Sequence, residues 1–201
     1  FFELMRSICF IVPSWHYWVN PLKHQPYWEL YYATVIKEKL DNKNISISLV
    51  DMRGASGKTL RNVVDQIPEH DLYLYWIMKS GDALEIYSTV KLLKGLFPNS
   101  KHAAGGTHVD MCTEECSQIF DACVVGPGEE SFAKIVADIQ SNNLKKIYKQ
   151  SYKEVPFSHT PFPRRDFLPL DRVVNRDIFK EDGGALGTLV YFSRGCVYQC
   201  S

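Results

Sequence analysis

The 201-residue sequence has no surplus of charge: 23 lysines and arginines stand against 23 aspartates and glutamates. That balance gives no footing for a polyanion-binding surface, so no nucleic-acid partner is expected. The sequence also lacks a membrane-spanning apolar run. Residues 7–15 are apolar but fall well short of the roughly 20 residues a span needs, and no cleavage-site pattern follows them. The six cysteines, Cys9, Cys112, Cys116, Cys123, Cys196 and Cys200, lack the spacing of a secreted disulfide framework, which a chain of this size does not need. Reduced thiols and a cytoplasmic location are therefore expected. There is no internal repeat and no low-complexity tract. There is no initial Met either, so a chain that begins on Phe1 reads as a fragment or a processed form. What the sequence has in plenty is aromatic side chains, crowded into residues 15–32 and 72–76.

Residues 7–12, SICFIV, form a continuous apolar run rich in β-branched side chains, which suits a strand buried on both faces of a parallel sheet. Pro13 ends it. Residues 14–28 then make a long loop carrying Trp15, His16, Tyr17, Trp18, His24 and Tyr27. The loop follows the carboxyl end of the first strand, where open α/β sheets hold ligands. A surface loop packed by its own aromatics is the other reading. Apolar residues at Leu30, Ala33, Ile36 and Leu40 predict an amphipathic helix over 29–40. Strands are predicted at 45–50, 71–78, 100–104 and 121–125. Helices are predicted at 59–67, 83–97, 113–120 (capped by Thr113) and 131–140. This alternation predicts a doubly wound, flavodoxin- or Rossmann-like α/β fold with a five-stranded parallel sheet and helices on both faces. Four prolines, Pro156, Pro161, Pro163 and Pro169, mark residues 142–187 as a linker. A fresh strand, TLVYF, is predicted at 188–192. The expected division is thus a domain over 1–141, the linker, and the start of a second unit over 188–201.

Candidate site residues cluster after the strands. Asp51, Met52, Arg53 and Gly54 follow the second strand. Gly105, Gly106 and His108 follow the fourth. Gly126, Gly128 and Glu129 follow the fifth. The string GASGKT ending at Thr59 fails as a phosphate loop, because the required first glycine falls on Met52. His108, Cys112 and Cys116 are spaced by four, with Cys123 nearby, and on one continuous helix they could hold zinc. The pattern crosses a turn, however, and cysteine serves equally as a small buried hydrophobe. Glu129 and Glu130 fit the first turn of a helix, where the dipole favours carboxylates. Cys196 and Cys200 form a C-x3-C pair after a strand and could share a soft metal or cluster.

Two of these motifs, in order, carry a resemblance. Ser193-Arg-Gly-Cys196 and Cys200, directly after an apolar strand, resemble the opening of a radical S-adenosylmethionine barrel. That family's cluster motif is C-x3-C-x2-C, whose third cysteine would fall at position 203, two residues past Ser201. Upstream, Gly105, Gly106 and His108 match GG-x-H. Asp121, Val124, Val125, Gly128, Glu129 and Phe132 match the string that follows it in the cobalamin-binding domain of class B radical S-adenosylmethionine proteins, with Pro127 replacing a glutamate. The resemblance implies a chain that binds cobalamin through the residues after strands two, four and five, with the nucleotide tail at the two glycine turns. In the full-length enzyme it implies a [4Fe–4S] cluster on Cys196, Cys200 and a third cysteine. It also implies S-adenosylmethionine, a flavodoxin- or ferredoxin-type electron donor, and methyl transfer or ring formation on a small molecule of unknown identity. Many such domains carry D-x-H-x-x-G, whose His is the lower cobalt ligand. Here Arg53 takes that place, and arginine cannot ligate cobalt. Base-off cobalamin with no histidine from residues 51–57 is therefore expected. The rival reading is a non-catalytic flavodoxin-like module that binds a nucleotide or a protein partner.

Overall fold

A computed structural model describes residues 5–40, 44–55, 57–155, 160–179 and 185–192. The run SICFIV forms β1 (Ser7–Val12), buried at every position but the first. Alternate side chains face opposite ways along a strand, and β1 feeds two cores accordingly. Ile8, Phe10 and Val12 join one cluster, while Cys9 and Ile11 join the other. Around β1 lie β2 (Ser46–Asp51), β3 (Leu72–Trp76), β4 (Lys101–Gly105), β5 (Ala122–Val125) and β6 (Ile147–Lys149). All pairings in this sheet are parallel, in the order β2-β1-β3-β4-β5-β6. The order reverses at β1, so the carboxyl ends of β1 and β3 flank a crevice that no crossover covers, the place where such sheets take ligands.

Helix α1 (Tyr27–Lys39) and the last long helix, Glu129–Gln140, cover one face. The other is covered by α2 (Leu60–Val64), α3 (Ser80–Leu96), α4 (Thr107–Met111) and α5 (Thr113–Ile119). Glu129–Gln140 is α6. The doubly wound fold is thus present, with one strand more than expected. Ile147–Lys149 lies in the stretch read as linker; it buries only Tyr148 and is ringed by Lys145, Lys146 and Lys149, so it carries no apolar signal. Helix α4 fills part of what was read as a turn. Thr113 does not cap α5: its hydroxyl donates back to the Val109 carbonyl at 2.7 Å.

Helix α1 is less amphipathic than expected, with residues 29–36 all buried. The proline-rich segment explains this by crossing the outer side of the helix. The Arg164 N–H donates to Thr34 Oγ1 at 2.8 Å, and Leu168 and Val173 are buried in the same core. Val173 ends a short helix, α7 (Leu170–Val173). Beyond it, β7 (Asn175–Phe179) pairs antiparallel with β8 (Ala185–Gly187). This pair lies in the stretch expected as linker, and no strand forms at 188–192, where one was expected. Residues 188–192 are irregular because side chains take their backbone groups: the Leu189 N–H donates to Gln25 Oε1 at 2.7 Å, and the Leu189 carbonyl accepts from Arg165 Nη2 at 2.8 Å. Among the described residues no helix is long and apolar enough to cross a membrane.

Candidate functional site

The loop after β1 is held against α3 by polar contacts. The Ser14 N–H donates to Glu85 Oε1 at 2.7 Å, and His16 Nδ1 lies 2.9 Å from Glu85 Oε2. The Tyr17 hydroxyl donates to Asp82 Oδ1 at 2.8 Å, and Lys79 Nζ sits 4.5 Å from the Trp18 ring centroid. Trp18 in turn lies against His24, ring centroids 3.9 Å apart. From below, Arg53 fixes the far end of the loop. Its fully buried guanidinium grips Asp51 through Nε at 2.8 Å and Nη2 at 2.7 Å, and donates to the His24 carbonyl and, at 3.0 Å, to that of Arg172. Arg172 returns a bond to the Arg53 carbonyl at 2.9 Å. Bidentate pairing uses the fork geometry of arginine, and the remaining donors are spent on carbonyls. Arg53 thus ties β2, the first loop and α7 together.

Two clefts open on either side of Trp18. The first, about 330 Å³, lies over the carboxyl ends of β1 and β3. The chain has four tryptophans, and all of them, Trp15, Trp18, Trp28 and Trp76, line it. Tyr191 closes the wall, its ring 4.4 Å from Tyr27 and 5.7 Å from Trp28. Rigid aromatic surface of this kind binds flat, polarisable ligands. Polar groups are few. Burial pushes the Glu29 carboxyl up to about 8, raises that of Asp82, and lowers His24, on which Lys79, Arg53 and Lys23 also act. Gln25 lines the cleft, and its Nε2 is buried without a hydrogen-bond partner. The second cleft, about 490 Å³, is bordered by Met52, Gly54, Gly57, Lys58, His16 and Glu85.

The expected residues divide between these places. Met52 and Gly54 border the second cleft, with Asp51 and Arg53 beneath as a closed ion pair. Gly105, Gly106, His108, Gly126, Gly128 and Glu129 border neither cleft. A Cβ on Gly105 would come within 2.6 Å of the Trp76 ring, and one on Gly128 within 2.6 Å of Phe132 and 2.9 Å of Tyr32. Gly126, at φ +87°, lies so close to the next strand exit that a Cβ would fall 2.1 Å from the Gln150 carbonyl oxygen. His108 is engaged at both ring nitrogens, by the Tyr87 hydroxyl at 2.8 Å and Ser80 Oγ at 2.9 Å. Glu129 accepts from the Tyr31 hydroxyl at 2.7 Å. Among the described residues no three histidine, cysteine or acidic side chains are placed to hold a metal ion. Cys196 and Cys200 lie outside the described residues. The aromatic cleft, with Gln25, Glu29 and Tyr191, was not among the candidate residues; its signal was the density of aromatics in the first loop.

No family model matches the chain. Over 99 residues, 48% of its length, it is 28% identical to the bacteriochlorophyllide d C-8(2)-methyltransferase of Chlorobaculum tepidum, and it covers 20% of that protein. Its fold is similar to that of TsrM, a radical S-adenosylmethionine methyltransferase from Kitasatospora setae solved with tryptophan substrate and a S-adenosylmethionine analogue. The TM-score is 0.50 at 13% identity, over 70% of this chain and 26% of that one. Both of these proteins are methyltransferases, and this chain spans 20% of the first and 26% of the second.

Proposed function

We propose that this chain is the cobalamin-binding portion of a cobalamin-dependent radical S-adenosylmethionine enzyme, a methyltransferase or a ring-forming relative, and that the corrin face rests on the aromatic cleft. One observation carries the reading. The cleft sits at the switch point of the parallel sheet, and its far wall is Leu189 and Tyr191, a few residues before Cys196. A ligand in the cleft would touch both the sheet and the segment that leads to the cysteine pair. The partial sequence similarity to one methyltransferase and the fold similarity to another support the methyltransferase part of this reading.

The cleft is an open depression, suited to one face of a large flat ring. Cobalamin would supply a transferable methyl group, and a [4Fe–4S] cluster on Cys196, Cys200 and a third cysteine would supply the reductive cleavage of S-adenosylmethionine. The residues of this chain have simpler tasks. The tryptophans and Tyr191 exclude water and hold the ring by dispersion. Arg53 and Asp51 fix the loop that carries five of the cleft residues, Trp15, Trp18, Lys23, His24 and Gln25. Residues 51–57 contain no imidazole, so this loop would supply no histidine to a bound cobalt.

The test mixes the chain with hydroxocobalamin and desalts it. About one corrinoid per chain is expected to remain, with the emission of the tryptophans quenched. Trp28→Ala is expected to weaken retention about tenfold or more, the loss of one stacked aromatic contact, while the far-ultraviolet circular dichroism stays unchanged. A folded chain that retains no corrinoid overturns the proposal in favour of a flavodoxin-like module for a nucleotide or a protein partner.

A further inference from the structure

On one wall of the aromatic cleft two side chains are built for hydrogen bonding. Gln25 is oriented by a main-chain donor. Its Oε1 accepts from the Leu189 N–H at 2.7 Å, so the amide nitrogen must be the other end. That nitrogen is buried and has no partner. Glu29 lines the same cleft from the first turn of α1 and is 4% exposed. It belongs to none of the ion pairs among the described residues. Its own backbone N–H and Arg53 favour the charged form, Asp82 and Asp51 oppose it, and Lys23, His24 and Lys79 share the cleft wall. Burial outweighs them all and keeps the carboxyl protonated up to about pH 8.

We propose that Glu29 and Gln25, both in the lining of the cleft, together recognise a carboxamide on the ligand, so that the cleft selects a flat ring fringed with neutral amides. A carboxylic acid offers one O–H donor and one carbonyl acceptor side by side, and a primary amide presents the complementary pair. The Gln25 amide adds a second donor toward the amide oxygen. A buried donor without an acceptor is costly, and an amide-bearing ligand removes that cost. This inference rests on the corrinoid reading, since corrin rings carry such amides.

Binding of methylcobalamin is followed by tryptophan quenching from pH 6.5 to 9.5 in the unaltered chain, Glu29→Gln and Glu29→Leu. In the unaltered chain, affinity is expected to fall about tenfold across pH 8, the loss of one good hydrogen bond on ionisation of Glu29. Glu29→Gln, which keeps a donor and an acceptor, is expected to restore at every pH the binding that Glu29→Leu lacks, and to show no fall. Comparing the first two removes any titration of the probe itself. Without ligand, the tryptophan emission of the unaltered chain should step near pH 8, and that of Glu29→Gln should not. Parallel pH dependence in the two, or no step, overturns the role of Glu29 and leaves corrinoid binding standing. No binding by any variant at any pH overturns the corrinoid reading, and this inference with it.

Discussion

The glycine turns after β4 and β5 and the crevice between β1 and β3 lie at the same edge of one sheet, yet they are opposites. The turns are closed, their missing Cβ positions taken by the protein's own atoms. The crevice is open, and a buried donor on its wall lacks a partner. The two are nevertheless connected. Gly105 leaves room for the Trp76 ring, and Gly128 for Phe132 and Tyr32. Tyr32 packs against Trp76 with the rings tilted by 43° and centroids 4.2 Å apart, and Trp28 follows Trp76 at 6.3 Å. The glycines therefore support an aromatic tier that ends as the floor of the cleft. A glycine motif after a strand can mark where a fold brings its own side chains close, with the ligand one layer further away.

Substitution of the glycines separates the two regions. Gly126→Ala is expected to have the largest effect, a loss of about 3 kcal/mol or more, because the alanine must hold a positive φ and its methyl meets a backbone oxygen. Denaturant unfolding measures this. The tryptophan emission of the folded variant should match that of the unaltered chain, since Gly126 abuts Gln150 and not the cleft. A shifted emission maximum would show the turns and the cleft to be one unit. Gly105→Ala is expected to cost about 1–3 kcal/mol, the range for overpacking a filled core. It alone of the two should shift the emission, because its methyl displaces Trp76.

Much of the fold was legible. SICFIV, buried on both faces, and the regular alternation of strand and helix pointed to the parallel sheet and its two helical layers. The misses have physical causes. β6 is three residues long, and only Tyr148 is buried, so neither length nor periodicity reveals it. Residues 188–192 carry β-branched and aromatic side chains yet bond to Gln25 and Arg165, a tertiary effect that propensity does not see. The site was legible in part. Arg53 stood out as an arginine in a histidine's place, and in the structure it is a buried tie for the first loop. The cleft residues are separated by up to 176 positions, from Trp15 to Tyr191, and follow no short motif; only the crowding of aromatics after β1 hinted at them.

The smallest expected effect concerns the open side alone. Glu29 holds its proton in the folded chain up to about pH 8, while in the unfolded chain it would release it near the ordinary carboxylate value. Between those limits the folded state binds more protons than the unfolded state, so stability falls as pH rises. Its contribution is whole below the unfolded value and lost as pH climbs through 8. Glu29→Gln does not titrate. It should match the unaltered chain near pH 5 and exceed it by about 1–2 kcal/mol at pH 8.5, after relaxation and water entry have taken their share of the burial cost. Denaturant midpoints at the two pH values measure the difference. A constant offset at both would mean that Glu29 is already ionised at pH 5, and that the crevice holds a charge rather than a proton donor.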